Sequence, residues 1–251
     1  MEPYYKQDLS TDEILTIAGL LHFDSVLAIE INNQEDWYLN CEKHIRENIS
    51  LLERNKVIQY EFHGSLLINQ DIKNLIEIIC TPERVIAIDS VGKLKKREIK
   101  YIAVKEKRAV IYGKNRKGGY SFNCYESFDE KDFYLGLFET DGCDSVSLTI
   151  EKEKALTIKR KLANFQKDEA LEYTLKEFDK AKADIILKVL SGYENYIRIQ
   201  GYQKNRHYMK NVVNLFVLNL ANQAVNVWIN EDDNIVIESI SVDEIISKLL
   251  G

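Results

Sequence analysis

Ser127-Phe128-Asp129-Glu130 and Ser241-Val242-Asp243-Glu244 stand 114 positions apart and read the same way. Each puts a serine at an N-cap and a glutamate three residues on, the reciprocal pair that closes the first turn of a helix. What precedes them also matches. Before the first, a helical pattern ends at Cys80, and strand patterns follow at Val85–Ile88, twice within Ile99–Tyr112, and at Tyr120–Tyr125. Before the second, a helical pattern ends at Leu190, and strand patterns follow at Tyr196–Ile199, twice within Val212–Ile229, and at Ile235–Ile237. A helix–four-strand–helix unit met twice predicts a duplication. The fold class that follows is α+β, with pseudo-twofold duplicated helix–antiparallel sheet–helix units around a shared sheet. The boundary is expected in Glu139-Thr140-Asp141-Gly142-Cys143-Asp144. The halves are then 1–140 and 141–251. They are read as one cooperative domain, because the helices of each need the sheet to bury their apolar faces.

Outward from these units, Ser10-Thr11-Asp12-Glu13 is a third capping box, followed by Ile14, Ile17, Ala18 and Leu21 at helical spacing. Val26, Ala28 and Ile31 suggest a strand. His44 to Arg54 reads as a helix, and the alternation of Ile58, Tyr60 and Phe62 places a half-buried strand over Val57 to His63. Asn69 or Gln70 opens the helix that Pro82 stops. In the second half, Val146 to Ile150 reads as a strand. Lys152 to Phe165 and Asp168 to Leu190 read as helices, the latter broken by Gly192.

With 251 residues, 45% of them hydrophobic and 29% charged, the composition is that of a globular chain with a sizeable core. The start, Met1 to Asp8, has neither a basic nor an apolar region of the kind a secretory leader needs. The nearly uncharged stretch from Asn211 to Asn230 carries too many amides for a membrane span. Cys41, Cys80, Cys124 and Cys143 are scattered and read as reduced thiols of a cytoplasmic protein.

Charge is uneven. Between Lys93 and Lys117 there are eleven basic and two acidic residues, a local net of +9 in a chain of net −6. Such a stripe steers an acidic partner or a nucleic acid, and it equally describes strands with a solvated Lys/Arg face. Tyr101, Tyr112, Tyr120, Phe122 and Tyr125 interleave with it, as base-stacking residues do and as the core side of a sheet does. The turn Gly113 to Gly119 is basic and glycine-rich, but strands lie on both sides of it. A phosphate cradle needs a helix after the loop. Lys114, Arg116 and Lys117 are therefore read as a projecting cationic hairpin tip anchored by Tyr112 and Tyr120. These five are the candidate partner-binding residues.

No catalytic constellation stands out. His22, His44, His63 and His207 form no helical metal pair, and Cys41 and His44 have no second pair at zinc spacing. Nucleophile-elbow, Walker and kinase motifs are absent. The expectation is a protein that is not an enzyme, with no cofactor and no metal.

Several passages resemble EspG, the cytosolic chaperone family of the ESX (type VII) secretion systems. Leu9 to Leu21 looks like that family's first helix. Leu51-Leu52-Glu53-Arg54, then Leu66, Ile72, Leu75, Ile79 and Thr81-Pro82-Glu83-Arg84-Val85 look like its helix–loop–helix–Pro–strand passage. Val227-Trp228-Ile229, Ile235 to Ile237 and Ser241 to Leu250 look like its last strands and final helix. The Lys-, Ile- and Asn-rich texture departs from the family's Gly-, Pro- and Ala-rich one and points to a Gram-positive relative. The resemblance implies a cytoplasmic chaperone or adaptor that caps a helical secreted substrate of WXG/LXG or PE–PPE-like type. It implies client contacts on a sheet hairpin, here within Ile99 to Tyr125, and on the helices after Lys152. The alternatives are a nucleic-acid-binding module using the stripe 93–117 and an enzyme with an unrecognised site.

Overall fold

A computed structural model describes residues 2–30, 40–91, 96–138, 145–191, 196–205, 208–220 and 223–250. The fold is α+β, with a large antiparallel sheet of ten strands and a separate two-stranded ribbon. The chain divides into two compact units, one of Met1–Ile86, Ile99–Phe128 and Tyr202–Lys210, the other of Ala87–Glu98, Asp129–Gly201 and Asn211–Gly251.

The first unit opens with strand β1 (Tyr5–Leu9). Helix α1 (Thr11–Leu20) follows at once, its capping box formed as the sequence predicts: Ser10 Oγ accepts from Glu13 N–H and the Glu13 carboxylate accepts from Ser10 N–H. After α2 (Cys41–Arg54), β2 (Ile58–Tyr60) and β3 (Leu66–Ile68) pair as the small ribbon. Helix α3 (Gln70–Cys80) starts under an Asn69 cap. A meander then runs through β4 (Arg84–Val91), β5 (Arg97–Lys105), β6 (Arg108–Lys114) and β7 (Tyr120–Tyr125). Burial along β7 alternates strictly, with Tyr120, Phe122 and Cys124 inward. These residues pack with Ile14 and Ile17 of α1 and Leu75, Ile76 and Ile79 of α3 in one core. Strand β1 closes the unit's sheet by pairing antiparallel with β7, Leu9 opposite Tyr120.

The second unit contains α4 (Glu130–Leu135), β8 (Ser147–Ile150), α5 (Lys152–Ala163), α6 (Lys167–Leu175) and α7 (Lys180–Leu190). Strands β9 (Tyr196–Asn205), β10 (Tyr208–Leu220), β11 (Gln223–Ile229) and β12 (Ile235–Ser239) follow, then α8 (Val242–Leu250), the stretch Tyr202–Lys210 of β9 and β10 belonging to the first unit. Its core joins Ile158, Ala170, Ile186 and Val189 of the helices to Leu148, Leu218, Val225 and Ile237 of the strands. Strand β8 pairs antiparallel with β12, as β1 does with β7. The hydrogen-bonded order is β1-β7-β6-β5-β4-β9-β10-β11-β12-β8. Read from either end, it lists an early edge strand and then a four-strand meander in reverse. The duplication is thus one of element order, and each repeat carries an edge strand ahead of its helices.

Four local readings differ from the structure. The capping at Ser127 is displaced: Asp129 caps α4, its carboxylate accepting from Asp132 N–H at 3.1 Å. Phe128 N–H donates to the Lys107 carbonyl at 3.0 Å, and the helix begins two residues later than at Ser241, where the box forms. No strand spans Val26 to Glu30, and Ile31 falls outside the described residues. The helix expected from Asp168 to Leu190 is two, because Asp179 caps a new start by accepting from Lys182 N–H at 2.9 Å. The strand expected over Val57–His63 is three residues long and turns at Glu61, with Gly64 at φ +81°. The expected boundary, Gly192, Lys93, Lys95 and His207 also fall outside the described residues.

Candidate partner-binding hairpin

Strands β6 and β7 pair from Ala109↔Tyr125 to Lys114↔Tyr120. The turn between them is built on Asn115, whose side-chain oxygen accepts from Lys117 N–H at 2.9 Å and Gly119 N–H at 3.1 Å. Asn115 N–H in turn donates to the Gly119 carbonyl at 2.9 Å, and Gly118 takes φ +86°. An Asn side chain that mimics backbone in this way fixes a loop with little chain to order. The tip is therefore a defined projection, with Arg116 and Lys117 exposed on it. Among the described residues neither side chain makes an ion pair.

Tyr112 and Tyr120 are each 1% exposed, so they belong to the core under the hairpin. Tyr112 stacks on Phe122 at 5.5 Å between ring centroids and lies 5.5 Å from Tyr101, a row of rings across three strands. Their hydroxyls reach a segment that leads away from α1. Tyr112 Oη donates to the Leu27 carbonyl at 3.0 Å, and Tyr120 Oη accepts from Glu30 N–H at 2.9 Å. Burial drives the Tyr112 phenol far above its ordinary value, so it remains a donor at any physiological pH. Lys114 is paired with Glu30, and that hydrogen bond raises its ammonium pKa. The structure thus divides the five candidates: two hold the hairpin, one is engaged by Glu30, and two present free charge.

Nothing in the local sequence pattern announces the Glu30 strap. Its contacts span 84 to 90 positions, so local pattern carries no trace of them.

The rest of the basic stripe is partly neutralised within the protein. Arg97 makes two 2.8 Å hydrogen bonds to the Asp89 carboxylate. Lys105 Nζ lies 2.6 Å from Glu77 and 3.1 Å from Thr81 Oγ1. Such pairing lowers the charge on offer to a phosphate backbone, which a nucleic-acid reading needs.

The helices after Lys152 carry the other expected contact region. Phe165, at the turn between α5 and α6, is 92% exposed with φ +60°, and Leu156 and Leu175 are also exposed. An aromatic ring left wholly in water is less ordinary than a single exposed leucine, and Phe62 in the first unit is a second such ring.

Among the described residues no group of three His, Cys, Asp or Glu side chains could hold a metal ion. Burial pushes the thiols of Cys80 and Cys124 up to about 12, so both stay protonated and are poor nucleophiles. No described helix is long and apolar enough to cross a membrane.

Fold and site together define a class, an α+β protein with a duplicated strand order and a projecting cationic hairpin. No protein-family model matches the chain, and no curated protein matches it. Its structure is similar to that of the Mycobacterium tuberculosis type VII secretion system chaperone EspG5, solved in complex with a PE25–PPE41 dimer. The TM-score is 0.59 at 11% sequence identity, over 98% of this chain and 95% of that one. At that identity the likeness establishes the shared fold.

Proposed function

We propose that this chain is a cytoplasmic chaperone or adaptor that binds a helical type VII secretion substrate and keeps it soluble and export-competent. The observation that carries the reading is the end-to-end likeness to EspG5, whose solved complex holds a PE25–PPE41 dimer. The client is a helical-hairpin protein of WXG/LXG or PE–PPE-like type. Arg116 and Lys117 meet acidic side chains on its flank and set approach and orientation. Apolar burial near the hairpin supplies the affinity. The chemistry is non-covalent and needs no cofactor.

Co-expression with WXG-, LXG- and PE–PPE-like proteins encoded beside this chain tests the proposal. The expected result is a stoichiometric complex on size-exclusion chromatography with at least one of them, and aggregation of that client when expressed alone. Clients that stay soluble alone and co-elute with this chain in no case would overturn it.

A further inference from the structure

We propose that Glu30 is a resident competitor for the hairpin: its carboxylate occupies the Lys114 ammonium that an acidic client surface would otherwise take. Glu30 thereby sets how strongly, and how selectively, the hairpin engages a client. The inference rests on the chaperone reading of this hairpin.

Three observations carry it. First, Glu30 is held in place from below. Its N–H donates to Tyr120 Oη at 2.9 Å, three residues upstream the Leu27 carbonyl accepts from Tyr112 Oη at 3.0 Å, and both tyrosines are core residues. The strap's backbone is therefore anchored beside the hairpin, which keeps the Glu30 side chain within reach of Lys114. Second, the pair is open to exchange. The Lys114 side chain is 50% exposed and that of Glu30 66%, so an incoming carboxylate can replace Glu30 without unfolding anything. Third, the occupancy is selective. Arg116 and Lys117, two and three positions further on, have no carboxylate partner among the described residues.

An exposed pair of this kind contributes modestly, because solvent screens it and two long side chains must be ordered. Competition by Glu30 is accordingly a tuning device. It leaves two cations for first encounter, and yields the third only to a client whose carboxylates out-compete it. A weakly acidic surface meets a hairpin with one cation fewer, which is a form of discrimination.

The test uses a synthetic amphipathic helical peptide with glutamates along its polar face, and the same peptide with glutamines there. Association rates are measured by stopped flow at low and high salt, with melting temperatures as a fold control. Glu30→Gln is expected to speed association of the glutamate peptide by about two- to fivefold at low salt, with no gain for the glutamine peptide. The gain should vanish in a Lys114→Met background, since nothing is then released. If Arg116→Glu with Lys117→Glu slows binding but Glu30→Gln binds like the wild type, the competition is wrong and the hairpin reading stands. If the Glu30→Gln gain persists with Lys114→Met, it comes from removing a negative charge near the hairpin and not from freeing Lys114, and the proposal fails. If the glutamate peptide binds no variant, or Arg116→Glu with Lys117→Glu leaves its rate unchanged, the hairpin reading itself falls and takes this inference with it.

Discussion

Gly119 lies so close to Leu9 that a Cβ on it would sit 2.6 Å from the Leu9 carbonyl oxygen and 3.2 Å from Ser10 Cα. Both obstacles are backbone, at the junction where β1 gives way to the capping box of α1. They cannot swing aside as a side chain would. Gly119→Ala should therefore strain the end of β1 and cost roughly 1–3 kcal/mol, the range for forced overpacking. Urea denaturation checks this. Gly118→Ala is a useful contrast, since nothing lies within 4 Å of its Cβ and its cost comes from φ +86° alone. An unchanged midpoint for Gly119→Ala would mean that β1 is free to move off the hairpin.

What the sequence disclosed and what it hid follow from range. Strands with an inward/outward alternation, such as Tyr120 to Tyr125, were legible residue by residue, as was the Ser241–Glu244 box. Strand β1 was not read, because Tyr5-Lys6-Gln7-Asp8-Leu9 buries only Leu9 and its pairing with β7 is more than 100 positions distant. The sequence over Asp168–Leu190 reads as one helix because its apolar spacing runs on through Leu175 and Phe178. The competing cap at Asp179 is a local polar choice that periodicity ignores. At the hairpin, the identity of the anchors was legible from aromatic alternation. The engagement of Lys114 by Glu30 was not, since it depends on where a loop returns.

The two compact units each draw on both halves of the sequence. Tyr202–Lys210 belongs to the first unit, where Lys204 N–H donates to the Glu83 carbonyl at 2.8 Å, and Ala87–Glu98 belongs to the second. A fragment ending at Asp141 removes the first segment and strands the other. We expect such a fragment to be insoluble or molten, without a cooperative thermal transition. Sharp, dispersed amide NMR signals from residues 1–141 would show that the first half folds alone and that the chain is not one cooperative unit.

Glu77 and Lys105 tie α3 to the end of β5 at 2.6 Å. The Lys105 hydrogen bond holds the Glu77 carboxyl below its ordinary 4.5. A carboxyl depressed in the folded state binds its proton more readily when unfolded. Its contribution to stability is therefore present above the ordinary value and lost as the pH falls through the folded one. The melting temperature of Glu77→Gln should lie below that of the wild type at about pH 7, and the gap should narrow as the pH falls below the ordinary carboxyl value. A gap independent of pH would assign the effect to packing and not to the ion pair.

Arg116 and Lys117 stand on a turn whose geometry is fixed by Asn115 and by the glycines that follow, so their charge can be reversed without disturbing what holds the tip. Arg116→Glu with Lys117→Glu should leave the melting temperature unchanged, because neither side chain packs or pairs among the described residues. Cations at the rim of an interface act chiefly on encounter, through a field that salt screens over about 8–10 Å. With a co-purifying client in hand, the double variant should associate about tenfold or more slowly at low salt and converge on the wild type at high salt. Affinity measured at high salt should change far less, since apolar burial carries it. Should the double variant bind at the wild-type rate, with the wild type indifferent to salt, the hairpin lies outside the interface. The exposed Phe165 between α5 and α6 then becomes the surface to probe, and Phe165→Asp the variant that must abolish binding for the chaperone reading to survive.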